Sequence, residues 1–202
     1  MSSEQQTLKD AEKTETVYLS NYRRAETHFT MNQYVSKAGS FGKFVHQPNL
    51  QEIKSKDQYQ VVRMNRDTLY SSGIFDLTAP LKITVPPTQG FYLSLEILDE
   101  EQYVLGVIYP DETRETNVDV VWSESNAADN KQQTAFVSPT RYIFTIIRTL
   151  TNPNDQNDLE RARTLQQSVR CDQSAIGEFK IPNWDSKSLT KCRQAISSLL
   201  EC

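Results

Sequence analysis

The sequence predicts an α+β fold: an N-terminal helix, a central, mainly antiparallel β-sheet or sandwich of about seven strands, and two C-terminal helices. Three observations predict it. Apolar residues recur at helical spacing towards both ends of the chain. The middle is a series of strand-length runs rich in β-branched and aromatic residues. These runs are joined by segments too short to hold a crossover helix, which suits antiparallel pairing. At 202 residues the chain is long enough for one domain with a sizeable core.

Residues 1–13 are polar and aperiodic and read as a disordered tail ahead of a single domain over 14–202. From Val17 the pattern is helical, with Tyr18, Tyr22, Ala25 and Phe29 as an aromatic stripe and Arg23, Arg24 and Glu26 off it. Gly39, free to take a positive φ, suits the end of that helix. AGSFGKFVHQPNL (38–50) then reads as a loop carrying Phe41, Phe44 and His46. The strand runs are 59–64, 68–77, 81–85, 91–98, 102–109, 118–122 and 141–150, broken by Pro80, Pro86-Pro87, Gly90, LDEE and YPDET. In FYLSLEIL, Phe91, Leu93, Leu95 and Ile97 point one way, and Tyr92, Ser94 and Glu96 the other. The loop 123–133 carries little information.

After residue 150 the helical period returns. Asn154 or Asp155 is available as N-cap, followed by an apolar stripe of Leu159, Ala162, Leu165 and Val169. A last helix begins near Ser186 and turns Leu189, Cys192 or Arg193, Ile196, and Leu199 or Leu200 inward; Trp184 anchors the joint before it.

Composition removes several classes of function. A net charge of −4, with Arg23-Arg24 as the densest basic patch, offers no surface for nucleic acid or an anionic membrane. No apolar run approaches the ~20 residues of a membrane helix, and the N-terminus lacks a signal-peptide core, so a cytoplasmic protein is expected. Cys171, Cys192 and Cys202 are odd in number and widely spaced, which argues for reduced thiols rather than disulfides or a zinc site. No Gly-rich phosphate loop or G-x-S-x-G elbow occurs, so no cofactor is expected. No metal site is expected from the histidines at 28 and 46, and His28, beside the apolar stripe, reads as a satisfied semi-buried histidine.

The densest polar stretch is VVRMNRDTLYSSGIFDL (61–77). Asp67 there can take charge-assisted hydrogen bonds from Arg66 or Arg63, while Asn65 and Thr68 suit a turn, giving a buried polar knot that fixes the approach of two strands. An arginine pair also suits a bound carboxylate or phosphate. The candidate ligand-binding residues are therefore Arg63, Asn65, Arg66, Asp67, Thr68, Tyr70 and His46. A nucleophilic arrangement can be drawn from Ser71 or Ser72 with His46 and Asp67, but no catalytic residue is assigned.

These residues carry a family resemblance. GKFVH, VVRMNRDTLYSSGIFDL, LKITVP, LEILDEEQYV, RYIFTIIRTLTNPND, DLERARTLQQSV and GEFKIPNWD occur in that order. Together they resemble the amino-terminal module of a bacterial family, domain of unknown function 1254, over about Val17 to Leu200. Asn65, Arg66, Asp67, Thr68 and Tyr70 match its signature. Typical members continue into a second β-rich module, domain of unknown function 1214, and have no settled activity. The resemblance thus implies either an apolar face covered by another copy of this chain or a separately encoded partner module, or a face whose apolar area has been replaced by polar residues; the first is expected. The function expected is a soluble module that binds a small anionic ligand or a partner without catalysis. The alternatives are a small hydrolase acting on an ester or phosphorylated molecule, and a structural component of a homo-oligomeric or two-chain assembly.

Overall fold

The computed structural model describes residues 14–50, 65–125 and 135–200. The expected tail (1–13), the expected strand 59–64 and most of the loop 123–133 lie outside the described residues.

Helix α1 (Tyr22–Gln33) continues through one π-helical stretch (Tyr34–Ala38) and stops at Gly39, whose φ of 68° is the left-handed cap anticipated there. Its buried face differs from the expected stripe. Ala25, His28 and Met31 are buried, whereas Tyr18 is 63% and Phe29 45% exposed. The helix begins only at Tyr22, so Tyr18 is not on it. Phe29 instead lies beneath the Arg193 guanidinium, 4.9 Å from its ring centre.

Nine strands follow: β1 (Val45–Gln47), β2 (Thr68–Asp76), β3 (Leu81–Val85), β4 (Leu93–Leu98), β5 (Val104–Ile108), β6 (Thr116–Trp122), β7 (Ala135–Ser138), β8 (Tyr142–Leu150) and β9 (Arg170–Asp172). They form a five-stranded sheet in the order β1-β2-β8-β4-β5 and a four-stranded sheet in the order β7-β6-β3-β9. All pairings are antiparallel except β6 with β7. The strands absent from the sequence reading are β1, β7 and β9, each too short for alternation to show. Between the sheets, Phe75, Leu95, Ile97, Ile143 and Ile147 of one face pack with Leu81, Ile83, Val85, Val118 and Val120 of the other. The alternation read in β4 holds, since Leu93, Leu95 and Ile97 point into this core.

Helix α2 (Gln156–Gln167) starts at Asp155, whose carboxylate accepts from the N–H groups of Asn157 and Asp158. It closes one margin of the core with Ala162 and Leu165. Helix α3 (Ser186–Leu200) meets α1 through Leu189, which packs with Ala25 and Val17, and through the Arg193–Glu26 ion pair. Of the alternatives Leu199 or Leu200 expected to face inward, Leu199 is 73% exposed, because the contact with α1 is made by the earlier turns of α3.

Among the described residues, the outer face of the five-stranded sheet is half covered. At its lower end Ile74, Tyr142 and Phe144 pack with Met31 and Tyr34 and with Phe179 and Ile181 of the segment joining β9 to α3. At its upper end register aligns Tyr70, Arg148 and Ser94 in one row, and Ser72, Ile146 and Glu96 in the next. Among the described residues no helix is long and apolar enough to cross a membrane.

Burial separates two leucines of similar chemistry. Leu95→Ala, at a fully buried position, should cost about 2–5 kcal/mol in urea unfolding, whereas Leu199→Ala should change stability by less than about 0.5 kcal/mol.

Candidate functional site

Asn65, Arg66 and Asp67 are exposed at the entry to β2; Thr68 is buried and Tyr70 half-buried. Arg63 lies outside the described residues. Thr68 Oγ1 donates to Asp67 Oδ1 at 3.0 Å, and the backbone N–H of Thr151 donates to the Asp67 carbonyl at 2.8 Å. The Asn65 N–H donates to the Tyr70 hydroxyl at 3.4 Å. Among the described residues Arg66 pairs with no carboxylate, so the buried knot expected between it and Asp67 is not formed. Both side chains are in water, where pairing gains little.

The buried acid of this stretch is Asp76, at the far end of β2, with no solvent exposure. It accepts from Arg141 Nε at 2.9 Å and Nη2 at 2.6 Å, from the Thr78 N–H at 3.0 Å and from the Glu178 N–H at 3.1 Å. Burial pushes its pKa up, but Arg141 and the two backbone donors outweigh burial and hold the carboxyl below its ordinary range. Gly177, at φ 75°, lets the joining segment pass so close that a Cβ there would collide with Asp76 Oδ2. Tyr142 completes the strap, its hydroxyl donating to the Glu178 carbonyl at 2.7 Å and accepting from the Lys180 N–H at 2.9 Å.

At the upper end of the outer face, Asn65, Asp67 and Thr68 line a cleft of about 360 Å³ with Tyr92, Arg148 and Leu150. The register of β2 against β8 brings Arg148 beside the signature residues. Its Nη1 donates to Glu96 Oε2 at 2.6 Å while the side chain stays 34% exposed. The Tyr92 ring lies 5.9 Å from that of Tyr109, and both are exposed. The cleft can therefore offer a carboxylate, an amide, a partly neutralised guanidinium and an aromatic wall. Arg148 and Tyr92 were not picked out in the sequence, because neither neighbours the signature along the chain.

His46 sits on β1, where its Nδ1 lies 2.9 Å from Ser71 Oγ and its ring stacks on Phe44. Burial pushes its pKa down. The structure thus joins two members of the imagined nucleophilic arrangement, but Ser71 is only 1% exposed and points inward. Asp67, at the strand entry, has no hydrogen bond to His46. The other histidine, His28, is buried; it holds Glu100 Oε1 at 2.8 Å through Nε2 and accepts from Trp184 Nε1 at 3.1 Å. An indole can only donate, so Nδ1 is the acceptor and Nε2 carries the proton facing Glu100. This is the satisfied histidine anticipated, and Trp184 is the expected anchor of the joint. No group of three His, Cys, Asp or Glu side chains among the described residues is placed to hold a metal. Cys171 and Cys192 are free thiols, and Cys202 lies outside the described residues.

Fold and site together define an α+β sandwich with a strapped outer face and a polar cleft at the entry of one central strand. The chain belongs to the family described as Protein of unknown function (DUF1254), whose model matches residues 41–173, from before β1 to the end of β9. No curated protein matches it. Among solved structures it is similar to the VPA0106 protein from Vibrio parahaemolyticus, at 14% identity and a TM-score of 0.61, covering 83% of this chain and 41% of that one. An uncharacterized protein from Burkholderia cenocepacia is 11% identical with a TM-score of 0.39, covering 73% of this chain and 49% of that one. The chain thus spans less than half the length of either structure.

Asp76→Asn should destabilise the protein by about 3 kcal/mol at pH 7, because a neutral amide cannot accept from Arg141, Thr78 and Glu178 as the buried carboxylate does. Because the folded carboxyl titrates below its ordinary value of about 3.9, its contribution is complete above that pH and is lost as pH falls through the folded pKa. Urea unfolding should therefore show the gap between wild type and Asp76→Asn closing below about pH 4. For His46, NMR titration of the ring protons should give a midpoint below about 6.5.

Proposed function

We propose that this chain is a binding module that receives a small polar ligand in the cleft at the entry of β2 and performs no catalysis of its own. One observation carries the reading: three signature residues, Asn65, Asp67 and Thr68, meet Arg148 and Tyr92 from two other parts of the sheet around one cleft. Among the described residues the side chains of Asn65 and Arg66 have no hydrogen-bond partner, so they are available to a ligand. Convergent polar groups on a rigid frame are the usual form of a ligand site. A small anion would engage Arg148, with Glu96 offsetting part of its charge. The hydrolase alternative is weaker, because a serine with 1% exposure cannot reach a substrate without rearrangement.

A second reading is favoured by the surface around the cleft. Tyr92, Val107, Tyr109 and Leu150 are all exposed there, and tyrosine and arginine are typical of protein interfaces. A second copy of the chain, or a partner resembling domain of unknown function 1214, would cover them.

Thermal shift against a panel of small carboxylates, phosphates, amino acids and sugars tests the first reading. A ligand that raises the melting temperature of wild type should lose its effect in both Asp67→Asn and Arg148→Gln; a stabiliser indifferent to both changes would place binding elsewhere. Turnover of p-nitrophenyl acetate should be the same in wild type and Ser71→Ala, and a loss in the variant would restore the hydrolase. Light scattering that finds only monomer across micromolar concentrations would remove self-association.

A further inference from the structure

We propose a second binding site, for a small carboxylate bearing a flat apolar group, in the groove between α2 and the turn joining β3 to β4. It is independent of the reading given to the signature cleft. The groove holds about 290 Å³, at the low end of the ~300–1,000 Å³ of ligand clefts, which selects a small molecule. Pro86, Pro87, Phe91 and Leu165 supply an apolar floor and walls. Arg161 lies over Phe91, its Cζ 4.8 Å from the ring centre, so the guanidinium plane is held in place before any ligand arrives.

The charge of Arg161 is uncommitted. Among the described residues it has no carboxylate partner, and its neighbour Glu160 is taken up by Arg163 Nη1 at 2.6 Å and Gln156 Nε2 at 3.1 Å. Two of the three hydroxyls in the groove, those of Thr164 and Ser168, cannot substitute for it. Thr164 Oγ1 donates to the Glu160 carbonyl at 2.9 Å and Ser168 Oγ to the Thr164 carbonyl at 2.7 Å, so their protons are used. Arg148 in the signature cleft differs, since Glu96 already offsets part of its charge. The frame is rigid on both sides: the N–H groups of Thr88 and Gln89 are bonded to the Asp111 and Glu112 carbonyls, and α2 is capped by Asp155. An apolar slot with one planar, unpaired cation at its rim recognises an aryl carboxylate and discriminates against its neutral amide.

The neighbouring residues Phe91 and Tyr92 line different clefts, so one NMR titration of the full chain distinguishes the two sites. The probes are phenylacetate and phenylacetamide. Phenylacetate should shift the amides of Phe91, Thr164 and Leu165 saturably and bind about three- to fivefold more tightly than the amide, the size of one exposed ion pair. Arg161→Gln should abolish that preference. Arg161→Lys, which keeps the charge but not the stacked plane, should retain part of it, and it serves in place of the first variant if that one fails to fold. Equal binding of acid and amide, a preference untouched by Arg161→Gln, shifts confined to Thr68 and Tyr92, or no saturable shift up to about 50 mM probe would each overturn the proposal.

Discussion

The structure turns on the carboxylate of Asp76. A charge with no contact to water must be compensated by hydrogen bonds or it will not remain a charge. Here the compensation comes from three places: the turn after β2, the start of β8, and the segment after β9. One side chain therefore ties together the turn that carries the chain from one sheet to the other, a central strand and the strap that leads to α3. The geometry tolerates nothing larger than glycine at position 177. Losing Arg141 would strand the buried carboxylate, which costs more than the pair contributes as a whole.

A second anchor works beside it. His28, Glu100 and Trp184 connect α1, the β4–β5 turn and the start of α3, and Arg23 and Arg24 add ion pairs to Glu101. Both anchors act on the lower half of the outer sheet face, where α1 and the strap pack. Structural demands are thus concentrated away from the entry of β2. Asn65, Arg66 and Asp67 are left exposed and largely uncommitted on a well-supported strand, the arrangement in which a loop can serve binding without loss of stability.

How much of this was legible in the sequence follows from the range of the forces involved. Long strands announce themselves through composition, and Gly39 and Asp155 through cap chemistry, because those signals are local. Strands of three or four residues carry no period to read, so β1, β7 and β9 emerged only with their partners. The same limit misplaced the knot. Asp67 follows an arginine, so local chemistry favoured it, whereas the partner of Asp76 lies 65 positions away at Arg141. The available clue was an acid inside the apolar run GIFDL, since a charge in such a run must be paired. The cleft was half legible: the signature marked one wall, and the pairing of β2 with β8 was needed to find Arg148 on the other.

Native-state amide hydrogen exchange in wild type and Asp76→Asn tests the role of Asp76 most directly. If this carboxylate holds the strap, the amides of Thr78, Glu178 and Lys180 lose protection together in the variant, while those at the centre of β2 and β8 keep it relative to global stability. Unchanged protection at Glu178 and Lys180 would contradict the account, because the strap would then be held by its apolar contacts alone.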